Sequence, residues 1–355
     1  MTCAVPLALA LLLAGCGDKA RQDVSAGQGT DPDLPPEVHD LIPTVKIAKA
    51  IGWGPGQVPT PAPGLAVAAF ARGLDHPRWL LVLPDGDVLV AETNAPPKPD
   101  DSRGIKGFFE KIGIRMSGGA SPPANRITLL RDSDGDGVAD VRSVLLSGLH
   151  SPFGMALVGD TLYVADTDAL LAFPYHAGDT AIRTAPVKIV DLPGGPINHH
   201  WTKNVIASPD GSKLYVTVGS NSNVDDRGIA AEAGRAAIWE IDPKTRAHRI
   251  FAGGIRNPNG MGWAADGTLW TVANERDELG SDLVPDYLTS VKDGGFYGWP
   301  WRYYGTHVDA RVKDPAPPYV ARTLKPDYAV GAHTASLGMT FADGQALGSG
   351  YADGV

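Results

Sequence analysis

Two short apolar segments joined by a polar turn recur along the chain. In the clearest copy, residues 205–207 are followed by a Pro-Asp-Gly turn and by residues 214–218, which alternate apolar and polar side chains as a half-buried strand does. A polar loop that contains histidine precedes the first segment. Similar units begin at four other places: Gly73, Gly148, Gly254 and, more weakly, Ala332. This pattern predicts antiparallel hairpins.

Hairpins that recur at intervals of roughly 50 to 80 residues indicate a repeat architecture. Because strands and turns dominate, we predict an all-β protein, a β-propeller with one hairpin in each blade. The first strand of each blade then lies nearest the axis. The loop that leads into that strand therefore opens at one mouth of the central channel.

The loops before these hairpins carry more polar chemistry than a turn requires. A simple turn favours Gly, Pro, Ser and Asn, whereas these loops repeatedly place histidine or arginine at one position. We therefore expect a shared pocket at the mouth, built from Asp75-His76, His150-Ser151, Asn198-His199, Arg256-Asn257 and His333-Thr334.

Composition supports a large turn-rich β domain and excludes several functions. The 355 residues include 43 glycines and 30 prolines. The net charge of -9 argues against a nucleic-acid partner. Both cysteines, Cys3 and Cys16, lie near the N-terminus, so the body is expected to hold no disulfide and no thiolate metal site.

The N-terminal region resembles a bacterial lipoprotein leader. Residues 4–15 are almost wholly apolar and end in small residues before Cys16, which would carry the lipid. The alternative is an ordinary secretory signal or a short anchor. We expect a signal peptide over residues 1–16, a Pro-rich tether over 17–64 and the propeller over 65–355. The protein would then be periplasmic or on the cell surface, held to a bacterial membrane only by its lipid.

Two acidic segments and one aromatic segment need separate interpretation. A loop with alternating carboxylates predicts a structural calcium ion or, alternatively, a plain acidic hairpin turn; its candidate ligands are Asp132, Asp134, Asp136 and Asp140. The flanking residues have strand patterns, unlike those of an EF-hand.

Residues 274–282 form a second acidic loop. The glycine-aromatic stretch 294–301 suits either blade packing or a surface on which a sugar stacks.

Several of these stretches together resemble one family. In order and spacing, Asn198-His199, residues 253–258, the acidic loop at Asn274-Glu275 and residues 295–300 are similar to the pyrroloquinoline quinone (PQQ)-dependent sugar dehydrogenases. The soluble aldose dehydrogenase and L-sorbosone dehydrogenase types belong to this group, and the sorbosone type shares residues 73–79. The resemblance implies a six-bladed propeller. Members of the family extend further, so the chain is expected to hold about five blades, with the C-terminal one missing or partial.

The resemblance also implies roles for individual residues. His199 would be the general base that removes a proton while hydride passes to the quinone, and Arg256 would polarise the quinone carbonyl. Further cofactor contacts would come from Asn257, Arg78, His150 and His333. The loop at Asp277 and Glu278 would bind the calcium that holds PQQ, through main-chain or carboxylate oxygens.

The predicted function is therefore oxidation of a sugar or a sugar-derived aldehyde, with PQQ and Ca²⁺ as cofactors. A quinone or cytochrome would accept the electrons. Two alternatives remain open at this stage. The carboxylate-rich loops also suit a calcium-dependent propeller lactonase, and a lipid-anchored propeller can act as a binding platform without catalysis.

Overall fold

The computed structural model describes residues 19–39, 50–97, 111–116, 118–119, 121–342, 349–351 and 354–355. The leader and Cys16 lie outside this range. Within it, no helix has the length and apolar character needed to cross a bilayer. The one α-helical segment that is described, residues 111–116, is short, and the remaining regular structure consists of strands and 3₁₀ turns.

Blades 1 and 2 are four-stranded antiparallel meanders. Each pairs its strands in chain order, as consecutive hairpins should. The strands of blade 1 are β2 (Pro77–Val82), β3 (Val88–Glu92), β4 (Arg126–Arg131) and β5 (Val141–Ser147). Those of blade 2 are β6 (Met155–Val158), β7 (Thr161–Ala165), β8 (Ala169–Pro174) and β9 (Val187–Asp191).

Blade 3 repeats this arrangement, and blade 4 enlarges it. Blade 3 consists of β10 (Val205–Ala207), β11 (Leu214–Val218), β12 (Ala237–Ile241) and β13 (His248–Gly253). Blade 4 runs in the order β14 (Asn257–Trp263), β15 (Leu269–Asn274), β16 (Pro285–Ser290), β19 (Tyr328–Ala332) and β1 (Gln28–Gly29). A small hairpin, β17 (Arg302–Tyr303) and β18 (His307–Val308), lies between β16 and β19.

The core lies between neighbouring blades. One cluster joins blades 1 and 2 around Leu89, Leu129 and Leu162, which are almost fully buried. A second joins blades 2 and 3, and a third joins blades 3 and 4 around Tyr215 and Tyr287. Blades 2 and 3 therefore pack against a neighbour on both faces, which explains the nearly continuous apolar runs in their central strands, whereas Leu80 and Val82 of blade 1 are exposed.

The described residues thus form an all-β, propeller-like fold with four blades. The four stronger hairpin copies correspond to these blades. A fifth, weaker copy was expected to begin at Ala332, where β19 ends, but residues 333–342 contain no strand and form no hairpin. They pass instead along β14, where a side chain at Gly260 would meet the Met339 nitrogen. Six blades and an incomplete C-terminal blade remain predictions.

Part of the expected tether packs on blade 4. Gln28 and Gly29 pair with Val330 and Ala329, so β1 covers the outer edge of the sheet. Farther on, the Val38 amide donates to the Leu279 carbonyl at 2.9 Å. This contact was not predicted from the sequence, because a strand of two residues is too short to show a hydrophobic periodicity.

Candidate functional site at the mouth of the channel

The loops before the first strands have a common local cause. A glycine with positive φ stands two residues before the mouth position in three blades: Gly73 (φ 68), Gly148 (φ 73) and Gly254 (φ 71). This left-handed conformation suits glycine and turns the chain from one blade into the next. At Gly254 a side chain would also lie 2.6 Å from the Phe296 ring, so both the backbone conformation and the lack of space favour glycine there.

Arg256 is buried at this mouth, with its guanidinium held by amide and carbonyl oxygens. Nε donates to the Asn223 carbonyl at 3.0 Å, Nη2 donates to the Asn223 side-chain oxygen at 2.9 Å, and Nη1 donates to the Glu275 carbonyl at 2.7 Å. Its ion-pair partner is the Asp277 carboxylate, at 3.6 Å and largely exposed. Burial lowers the pKa of Arg256 below the usual arginine value, although the group stays charged.

His200 lies beside Arg256 and Asn257. A Cβ placed on Gly219 would be 2.3 Å from Oδ1 of Asn257 and 2.5 Å from Cβ of His200, so glycine is needed for the two residues to meet there. Ser220 joins the same group. Its amide donates to the Arg256 carbonyl at 2.7 Å, and its own carbonyl accepts from Nδ1 of His200 at 2.8 Å.

The protonation state of His200 follows from these contacts. Because a carbonyl can only accept, Nδ1 carries the proton and Nε2 carries the lone pair. Burial, together with the positive charge of Arg256, holds the pKa of His200 well below its usual range. The ring is therefore neutral around pH 7 and can accept a proton at Nε2.

The predicted base, His199, has a different environment. Its side chain is exposed, whereas its neighbour His200 is half-buried and contacts the Arg256 group. Two adjacent histidines with the same loop pattern cannot be ranked from sequence alone. The fold separates them because the peptide that follows Asn198 turns His200 toward Gly219.

His333 joins the mouth from the segment that follows blade 4. Nδ1 lies 3.3 Å from the Asp277 carboxylate, and Nε2 contacts the Gly280 carbonyl at 3.0 Å. The bond to Asp277 raises the pKa of His333 to about 9, so the ring is a cation at neutral pH. Arg256, Asp277 and His333 consequently form an alternating row of charges.

The acidic loop is already bonded where calcium was expected. The Asp277 carbonyl accepts from the Asn223 amide at 3.1 Å and from Arg311 at 2.8 Å. A guanidinium at that oxygen disfavours a divalent cation, so calcium would have to displace Arg311. Glu278 is exposed and has a φ of 71°. Calcium at this loop remains a prediction.

His150, in the loop before blade 2, pairs with a carboxylate that is not part of the Arg256 group. Nδ1 of His150 lies 2.9 Å from Asp168, and both side chains are about half exposed. The His150 amide donates to Asp166, whose other carboxyl oxygen is buried without a partner. Burial raises the pKa of Asp166 to about 7. This pair lies on the blade 2 side of the mouth and has no contact with Arg256 among the described residues.

Arg78 approaches from blade 1 and lies over Trp201, with 5.4 Å between its guanidinium carbon and the ring centre. Within the described ranges it has no carboxylate partner, and burial lowers its pKa. Next to Trp201, Lys203 is fully buried and donates to the carbonyls of His200 and Trp201, both at 3.3 Å. Burial lowers the pKa of Lys203 well below that of an exposed lysine.

Sequence reasoning missed three residues that organise the mouth. Asn223 bonds Arg256 through both its carbonyl and its side chain, and Asp286 accepts from the Glu275 amide at 2.8 Å and from Thr334 at 3.1 Å. Trp201 is the third. The polar run 219–223, directly after a buried strand, was the available signal for Asn223.

The carboxylate-rich turn is remote from this mouth. It joins β4 to β5 at the end of blade 1 opposite Arg126, and strands flank it as expected. Oxygens of Asp132, Asp134 and Asp136 lie within 4.8 Å of one another. Asp140 instead accepts from the Ser133 amide at 2.7 Å. The turn is stable through its own backbone bonds, and calcium binding there remains a prediction.

Fold and mouth together define a propeller with a cationic axial site, and known structures share this fold. The PQQ domain of pyranose dehydrogenase from Coprinopsis cinerea, in its holo form, superposes with a TM-score of 0.61 at 19% identity, over 80% of this chain and 72% of that one. The iodide structure of the Trichoderma reesei carbohydrate-active enzyme of family AA12 gives 0.63 at 17% identity, over 84% and 77%. Its calcium structure gives 0.60 at 18% identity, over 77% and 72%.

At the level of sequence, residues 125–287 match the family described as TrAA12-like. This range contains His150, His200 and Arg256, and it ends within blade 4. Among curated proteins no sequence matches the chain. The propeller fold is therefore shared with PQQ-dependent sugar dehydrogenases, whereas the sorbosone type is not separately supported.

Proposed function

We propose that the protein is a PQQ-dependent dehydrogenase that oxidises a sugar or a sugar-derived aldehyde. The observation that carries this proposal is the pairing of neutral His200 with charged Arg256 at the channel mouth. The fold shared with the Coprinopsis pyranose dehydrogenase domain and the TrAA12-like match over residues 125–287 support it.

His200 is the proposed general base. Oxidation of an alcohol or an aldehyde hydrate requires loss of a proton from oxygen as hydride leaves carbon. The Ser220 carbonyl fixes the Nδ1–H tautomer, so the lone pair of Nε2 accepts that proton. Lys203 holds the peptide carbonyls of His200 and Trp201, and in this way it limits movement of the base.

Arg256 is the proposed electrostatic partner. Its bonds to Asn223 and Glu275 hold the guanidinium in place before substrate arrives, so little reorganisation is needed as negative charge develops nearby. Since the partners are neutral oxygens and one exposed carboxylate, much of the positive charge remains available at the mouth.

The side chains at the mouth fit a flat polyanion. Arg78, which lies over Trp201, and Arg256, whose charge acts on His200, are desolvated cations, and the side-chain oxygen of Asn257 is buried without a partner. These residues would hold PQQ, which supplies a hydride-accepting carbonyl when bound. His333 adds a third positive charge to the same mouth.

We further propose that a lipid at Cys16 places the enzyme on the non-cytosolic side of a bacterial membrane, where a quinone or cytochrome would take the electrons. The apolar run before Cys16 supports this location. Calcium could assist cofactor binding if the Asp277 loop rearranges, and the calcium structure of the Trichoderma AA12 enzyme gives that ion a precedent on this fold.

The decisive experiment compares the two adjacent histidines. Purified protein is mixed with PQQ and Ca²⁺, and reduction of a dye is followed with an aldose or with sorbosone as substrate. We expect His200→Ala to lower kcat by about 10² to 10⁴-fold, the range of general-base catalysis. His199→Ala should lower it less than about tenfold, since that side chain is exposed.

Both outcomes of this experiment are informative. Loss of turnover in His199→Ala, with turnover retained in His200→Ala, would mean that His199 and not His200 is the general base. No dye reduction by the folded wild-type protein with any of these substrates would overturn the proposed function. Circular dichroism of each variant provides the check on folding.

A further inference from the structure

A second cavity lies away from the mouth, between blade 3 and the chain that follows β16. It has a volume of about 680 Å³, which lies within the usual range of small-ligand sites. Five aromatic side chains contribute to its wall: Phe251, Phe296, Trp299, Trp301 and Tyr319. Four glycines also line the cavity, and the Gly253 amide donates to the Gly295 carbonyl at 2.9 Å.

Three of the rings form one cluster. Phe296 meets Tyr319 edge-on at 5.0 Å between ring centres, and Trp301 lies 6.3 Å from each of them. Phe296 packs on the Gly254 backbone, and Trp301 donates its indole N–H to the Asp314 carbonyl at 3.1 Å. These contacts hold the cluster rigid, while the Tyr319 ring remains 43% exposed.

A single 3₁₀ turn presents Tyr319 together with a cation. The turn covers Pro318–Arg322, and side chains at positions i and i+3 of a 3₁₀ helix eclipse one another. Tyr319 and Arg322 therefore share one face, and both line the cavity. Among described residues Arg322 has no ion-pair partner, and neither has Lys292, which also lines the cavity.

Charge identifies the chemistry of the ligand. The protein has a net charge of -9, yet two exposed cations of this cavity, Arg322 and Lys292, have no ion-pair partner among the described residues. Two further charged lining residues are buried and already bonded: Glu232 accepts from the Asn221 amide at 2.6 Å, and Arg235 donates to the Pro193 carbonyl at 3.0 Å. The wall carboxylate of Asp293 is already bonded to Arg249, at 2.8 Å between Nη2 and Oδ2. A bound carboxylate would thus meet two unneutralised donors, which form strong charge-assisted bonds.

We infer that this cavity is a binding site for an acidic saccharide, with a pyranose ring on Tyr319 and its carboxylate between Arg322 and Lys292. An exposed aromatic ring offers a flat apolar surface to the C–H face of a sugar, and the rim donors bond the carboxylate. The site is separate from the channel mouth, although Trp299 in its wall donates to the same Asn223 carbonyl that Arg256 uses, at 3.1 Å.

The test measures binding without any quinone, so that it does not depend on the proposed dehydrogenase activity. The probes are a disaccharide that contains glucuronic acid and its neutral analogue cellobiose, each titrated calorimetrically into the full chain. We expect the acidic probe to bind at least about tenfold more tightly than the neutral one. Tyr319→Ala and Arg322→Gln should each weaken it by at least about tenfold, whereas Tyr319→Phe should retain binding.

Tyr328→Ala is the matched control, because Tyr328 is also 43% exposed but lies on strand β19 and does not line the cavity. Its affinity for the probe should equal that of the wild type. Absence of binding, equal binding of both probes, or an unchanged affinity in Tyr319→Ala would each overturn the proposal. The conservative variant Tyr319→Phe guards against a loss caused by misfolding.

Discussion

Two buried arginines lie in loops of blade 4, Arg256 directly before β14 and Arg276 shortly after β15, and they have opposite surroundings. Arg276 is fully enclosed, with Glu275 at 2.9 Å and Asp309 at 3.1 Å, and it also donates to the carbonyls of Pro300 and Arg302. Arg256 has neutral oxygens around it and one exposed carboxylate, Asp277, at 3.6 Å. The first charge is neutralised by buried carboxylates, whereas the second has only an exposed carboxylate as its ion-pair partner among the described residues.

This difference supports the proposal that Arg276 is a structural cation and Arg256 a functional one. A buried ion pair that satisfies all its donors fixes the loop between β15 and β16, and it offers nothing to a ligand. A buried cation without a close, buried counter-ion is costly to the fold, so its presence at a channel mouth indicates binding or catalysis. The four predictions below test this distinction, in order of decreasing effect.

Replacing Arg256, the proposed catalytic cation, should have the largest effect, and mainly on activity. Arg256→Lys keeps a charge but loses the fork that bonds Asn223 twice. We expect kcat with PQQ to fall by about 10²-fold or more, while thermal unfolding shifts only modestly. A variant with full turnover would contradict the assignment of Arg256 to the site.

Replacing the structural cation should act mainly on stability. Arg276→Met leaves Glu275 buried without its counter-ion, while Asp309 keeps Arg311 at 2.7 Å, so we expect a loss of about 3 to 5 kcal/mol in the free energy of unfolding. Urea denaturation followed by tryptophan fluorescence measures it. A cost below about 1 kcal/mol would show that the network does not hold the loop.

The charge row at the mouth should be visible in a titration. Asp277→Asn removes the bond that raises the pKa of His333 to about 9, so that pKa should fall toward 6.5, as followed by NMR of the ring protons. In the wild type the pair stabilises the fold fully below about pH 6.5, and this contribution disappears as pH rises through about 9. An unchanged pKa in the variant would mean that another group, such as Asp286, raises the pKa of His333.

The smallest effect should come from replacing Arg249, whose ion pairs have good geometry but lie at the surface. Arg249 bonds Glu240 at 2.9 Å and Asp293, yet its side chain is 46% exposed. Arg249→Met should therefore cost less than about 1 kcal/mol in the same urea experiment. A cost equal to that of Arg276→Met would mean that burial does not distinguish these two networks.

The fold was largely predictable because hairpin periodicity is a local signal. The four stronger copies gave the four blades, and the loops placed Arg256 and Asn257 at the mouth. The network around Arg276 was not predictable, because it joins residues separated by 33 positions through a small hairpin that has no clear pattern. Sequence likewise could not rank His199 and His200, since their difference depends on the glycine at position 219 of the next strand.

The two-residue strand β1 has a practical consequence. It occupies the outer edge of β19, where an exposed row of amide and carbonyl groups would otherwise be free to recruit another molecule. A recombinant chain that starts after residue 30 would leave that border bare. Such a preparation should polymerise as its concentration rises, whereas one that starts at Gly17 should stay dispersed.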